Sequence, residues 1–134
     1  MKRLYEEEPD FDALIRIYSY EEGGRERPPC NGIRWKFAYA NDSLGEVLYA
    51  IWPDFVDGTG NSLPSDVPLA VGVEIPARMV IAVKGTRAEV HRPRLAEGVR
   101  FYCHELGRRV AEGRVTRITG LLKDDDEDDE LSAP

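Results

Sequence analysis

Arg25, Arg27, Arg34, Lys36, Arg108 and Arg109, with Glu105 among them, are the residues whose types and spacing could recognise an anion. Arginine offers a planar donor fork to carboxylate or phosphate, and a cluster of such cations would bind RNA phosphate with affinity that falls steeply with salt. Arg25 closes the run Glu21 to Arg25 (EEGGR), which reads as a recognition loop. A plainer reading stands beside it. The two glycines would serve a bulge, Arg25 would pair with a barrel carboxylate such as Glu105, and Arg34 and Lys36 would line a solvated strand face.

Other constellations carry less chemistry. Trp35 and Trp52, with Phe37 and Tyr39, could stack on bases, but alternation with Arg34, Lys36 and Ala38 assigns the aromatics to a core. His91, Cys103 and His104 are potential metal ligands. Adjacent strand residues point to opposite faces, however, so Cys103 and His104 cannot share one ion. No nucleophile sits in an elbow or beside an identifiable base, and the acidic residues define no acid/base pair. The expected function is therefore binding without catalysis. The G-x-x-x-x-G-K-[ST] pattern is absent, so neither GTP nor another cofactor is expected.

The elements that position these residues lie in a chain of 134 residues, a length that fits one domain. The two cysteines, Cys30 and Cys103, form no disulfide scaffold and no C-x-x-C pair, which points to a reducing, cytoplasmic setting. Residues 1 to 12 are charged, and no apolar run reaches the roughly 18 residues of a membrane span. Net charge is -7, but the run Asp124 to Glu130 (DDDEDDE) carries -7 by itself and residues 1 to 12 carry -3. The body from Ala13 to Lys123 holds 16 basic and 13 acidic residues. A mildly basic domain between acidic ends follows, divided as an N-terminal extension (1–12), a β domain (13–122) and a disordered acidic tail (123–134).

Strand period dominates the body. Ala13 to Tyr20 alternates with Ala13, Ile15 and Ile17 on one side, and Ile33 to Tyr39 places Ile33, Trp35, Phe37 and Tyr39 on one face. Between them, Glu21 to Gly32 is a loop. After turn chemistry at Asn41 to Gly45, Glu46 to Trp52 reads as a third strand ended by Pro53. Asp54 to Pro68 reads as a long exposed loop, Leu69 to Glu74 as a short strand, and Arg78 to Val83 as an apolar one. Lys84 to Pro93 is a turn-rich basic connection, and only Arg94 to Gly98 suits a helical turn. Val99 to His104 and Arg109 to Thr119 form a hairpin across Glu105 to Arg108. An all-β barrel or sandwich is expected.

Two blocks carry a family resemblance. EEGGR at Glu21 to Arg25, followed by GIRWKF at Gly32 to Phe37, resembles the opening hairpin of the C-terminal barrel domain of elongation factor Tu. HRPRLAEGVRF at His91 to Phe101, running into HELGRRVAEGRVTRI at His104 to Ile118, resembles its closing hairpin. The resemblance implies a closed six-stranded antiparallel Greek-key barrel. In the family this domain contacts the T-stem side of aminoacyl-tRNA and the exchange factor elongation factor Ts. Arg25 keeps the family's loop arginine, while Glu26 replaces a histidine and Arg27 a threonine. Lys36 stands where the family has a glutamine close to the tRNA. Glu105, Gly107 and Arg108 match the last turn, whereas Leu106 replaces a glycine and His104 an arginine. The implied function is a module that binds a translation component or a protein that targets elongation factor Tu. RNA binding through the basic face, and a decoy or immunity-type role, are the alternatives.

Overall fold

A computed structural model describes residues 2–42 and 47–123. Six strands, β1 (Phe11–Ile17), β2 (Trp35–Tyr39), β3 (Tyr49–Phe55), β4 (Glu74–Ile81), β5 (Arg100–Glu105) and β6 (Arg108–Ile118), close into an all-antiparallel barrel in the order β1-β4-β3-β2-β5-β6. Closure satisfies every strand edge within the sheet. The connections β1 to β2 and β4 to β5 each pass over two intervening strands, as a Greek key requires.

Alternation decides what lies inside. Phe11, Ala13, Ile15 and Ile17 of β1 point inward with Trp35, Phe37 and Tyr39 of β2, and both sets are buried. Phe37 stacks on Phe101 with ring centroids 4.7 Å apart, and Phe11 meets both rings edge-on. Ala38, which alternation turns outward, is also fully buried.

Several boundaries differ from the sequence-based expectation. Pro53 does not end β3; it pairs in register with Met79, and the strand runs on to Phe55. Within the expected loop after it, Asp54 and Phe55 are buried, and Asn31 pins the segment. The Asn31 amide donates to the carbonyls of Phe55 and Leu63, both at 3.0 Å, and its oxygen accepts the Phe55 amide at 2.9 Å. A buried amide can be fully satisfied in this way, a long-range pairing invisible to local composition. Residues 69–73 form no strand; β4 begins at Glu74. The helical turn falls at Arg87–His91 rather than at Arg94 to Gly98. Trp52 lies on the outer surface between Tyr5 (centroids 5.6 Å) and the Arg34 guanidinium (4.1 Å), not in the core. Residues 2–10 cover the outside of β3 and β4, where the Leu4 amide donates to Asp54 Oδ2 at 3.1 Å and the Lys2 carbonyl accepts from Arg78 at 2.9 Å. The turn expected at Asn41 to Gly45 lies partly, and the acidic run at residues 124–130 wholly, outside the described residues.

Antiparallel order sorts the connections between two ends. Those joining β1 to β2, β3 to β4 and β5 to β6 emerge together at one end. At the opposite end lie the connections β2 to β3 and β4 to β5, the entry to β1 and the exit from β6.

Candidate binding surface

The end where the β5–β6 hairpin turns is built on the EEGGR loop. Ser19 to Gly24 folds back on itself through Gly23 N–H to Tyr20 O (3.0 Å) and Gly24 N–H to Ser19 O (2.9 Å). Gly23 has φ 100°, and a Cβ on Gly24 would lie 2.3 Å from the Tyr18 carbonyl oxygen, so the adjacent glycines are a steric requirement. The Glu22 carboxylate accepts the Ser19 amide at 3.0 Å and the Arg16 guanidinium at 2.8 Å. The Ser19 amide and then Arg16 hold that carboxyl below its ordinary range.

This fold-back delivers Arg25 to the hairpin. Arg25 Nε lies 3.2 Å from Glu105 Oε1, while the Trp35 indole N–H donates to Glu105 Oε2 at 3.1 Å. One carboxylate on β5 therefore ties the EEGGR loop to the buried face of β2. Glu105 is the direct cross-strand partner of Arg108. One strand pair further, Lys36 on β2, His104 on β5 and Arg109 on β6 stand in one row. The Arg109 guanidinium lies 3.7 Å over the Tyr102 ring.

Of the sequence-derived residues, Arg25, Lys36, Glu105, Arg108 and Arg109 thus come together. Arg27 is exposed on the same connection as Arg25. Arg34 turns away to stack on Trp52. Arg27, Lys36 and Arg108 form no ion pair among the described residues. The arrangement sets these three cations on a fixed frame beside the carboxylates of Glu21, Glu22, Glu26 and Glu105, a mixed-charge surface.

At the opposite end a polar cluster escaped the sequence reading. Tyr39 Oη and His91 Nδ1 are 2.6 Å apart, and His91 is 2% exposed. Burial, aided by the nearby Arg94 charge, pushes the imidazole down to about 4, while burial raises the Tyr39 phenol. Both groups are thus neutral, and which of them donates in this bond depends on whether Nδ1 or Nε2 carries the ring proton. Nε2 has no hydrogen-bond partner among the described residues. Arg94 covers the pair, its guanidinium 3.8 Å over the Tyr39 ring and 2.7 Å from Asp42 Oδ1. His91 and Tyr39 belong to segments 52 positions apart, and no local pattern marks their meeting.

A pH dependence follows. The unfolded chain takes up a proton near 6.5 and the folded ring only near 4, so the contribution of His91 is complete above 6.5 and is lost as pH falls toward 4. Between pH 7 and pH 5 the loss should be about 2 kcal/mol. Urea melts of wild type and His91→Gln at the two pH values check it. The variant should lack this part of the slope, and equal slopes would contradict it.

Cys103 lies wholly in the core while His104 faces the other side of β5, and among the described residues no three His, Cys, Asp or Glu side chains converge as metal ligands would. No helix of the described residues is long and apolar enough to cross a membrane. No protein-family model matches the chain.

Proposed function

We propose that the protein is a non-catalytic binding module, acting in the cytoplasm, that presents the end of its barrel around Arg25, Glu105 and Arg108 to a translation component or to a protein that targets elongation factor Tu. One observation carries this reading. The two sequence blocks that resemble the C-terminal domain of elongation factor Tu, far apart in the chain, are tied together through Arg25, Glu105 and Trp35. The closed six-stranded antiparallel architecture is the one the resemblance implies. A second reading, direct RNA binding, draws support from Arg27, Lys36 and Arg108, which form no ion pair among the described residues.

Affinity capture from nuclease-treated extract tests the first reading, with the full chain set against a Lys36→Glu/Arg108→Glu variant of equal stability. Retention of a protein of the translation machinery by wild type, and its loss from the variant, is the expected result. Equal capture by both would remove this end of the barrel as the binding surface. Loss of all capture on nuclease treatment would favour RNA.

A further inference from the structure

The β5–β6 hairpin turns through two residues, Leu106 and Gly107, between the paired Glu105 and Arg108. Both central residues have positive φ, 51° for Leu106 and 79° for Gly107. A two-residue turn of this hand is normally built from Asn-Gly or Asp-Gly, because a branched apolar side chain is strained there. Leu106 is the one described non-glycine residue with positive φ, and its side chain is 96% exposed. Strain and an exposed apolar side chain thus fall on one residue, and no described contact offsets either cost. Such a combination points outward, to a surface that covers the side chain when bound.

Its surroundings restrict what that surface can be. Arg108 follows in the same hairpin, Arg25 meets Glu105 beside it, and Lys36 and Arg109 occupy the neighbouring row. More apolar surface lies at the same end. The Gly72 amide donates to the Ile17 carbonyl at 2.9 Å, which brings Val71 and Val73 to the end of β1, just before Tyr20. Tyr20 is 64% exposed and Val73 53%. RNA phosphate gives aliphatic side chains no partner, whereas a protein segment with an apolar stripe bordered by carboxylates answers both features.

We propose that Leu106 is the apolar anchor of a site for an acidic amphipathic segment of a partner protein, whose apolar side chains enclose Leu106 and whose carboxylates meet Arg108 and Lys36. This rests on the binding-module reading and names the chemistry of the partner.

The full chain is titrated by fluorescence anisotropy with three labelled probes: an amphipathic Leu/Glu peptide, an all-Glu peptide of the same length and an oligouridine. Wild type should bind the Leu/Glu peptide saturably and at least about tenfold more tightly than the other two. Leu106→Asn should weaken that binding about tenfold. The same substitution should raise the melting temperature by about 2–5 °C, since asparagine tolerates the left-handed conformation. A purely structural leucine would not yield opposite signs in the two readouts. If Arg108→Glu weakens binding and Leu106→Asn does not, the anchor is wrong and the binding end survives. If neither substitution matters, both fall. Tighter binding of oligouridine, or no binding of any probe, overturns the proposal.

Discussion

Trp35→Ala is expected to lower the unfolding free energy by about 3–5 kcal/mol, the cost of removing a large buried ring and leaving a cavity. The indole is 3% exposed and meets Phe55 edge-on, with centroids 6.1 Å apart. A second consequence separates this site from an ordinary core position. Loss of the indole N–H frees one oxygen of Glu105, the carboxylate that also holds Arg25. Trp35→Phe should therefore keep most of the packing and lose mainly the hydrogen bond, at about 1–2 kcal/mol. Urea denaturation of the three proteins checks both figures. A Trp35→Ala protein within about 0.5 kcal/mol of wild type would mean that the ring is not core.

Asp10→Asn should be comparably damaging, by about 3–5 kcal/mol, for an electrostatic reason. Asp10 Oδ1 lies 2.7 Å from Arg87 Nε, with side chains only 5% and 13% exposed, and Oδ2 accepts the Ile81 amide at 2.8 Å. Arg87 also donates to the Gly120 carbonyl at 2.8 Å, and the Thr119 and Leu121 amides donate to the Asp10 carbonyl. One ion pair thus joins the entry to β1, the β4–β5 connection and the exit from β6. Removing the carboxylate charge strands a buried guanidinium. Adding Arg87→Met to Asp10→Asn should cost much less than the sum of the single changes. Additive losses in a double-mutant cycle would show that the pair is not coupled.

The strands were legible where one face is buried and the other wet. Ala13, Ile15 and Ile17 alternate with Asp12, Leu14, Arg16 and Tyr18, and Trp35 and Phe37 with Arg34, Lys36 and Ala38, a period of two that is how these strands could be read from local pattern. Pattern failed at β3 because residues 2–10 cover its outer face, so Trp52 and Asp54 need not be solvated and Pro53 sits inside a strand. The pairing of Arg25 with Glu105 was foreseeable as a carboxylate for a loop arginine. Glu105's simultaneous use by Trp35 was not, since it depends on β2 lying beside β5 in the closed sheet. The Tyr39–His91 pair was illegible for a similar reason: it joins a strand to a long crossover connection. Leu106 carried a readable signal, an apolar residue before glycine in the expected turn Glu105 to Arg108, which the structure narrows to two residues where Asn-Gly is the usual choice.

Binding at the hairpin end is tested most directly by titrating the captured partner into the ¹⁵N-labelled full chain and following its amide shifts. Perturbations confined to the β1–β2 connection, the start of β2 and residues 104–109 are the expected result. Perturbations centred on Tyr39, His91 and Arg94, at the far end of the barrel, would contradict it.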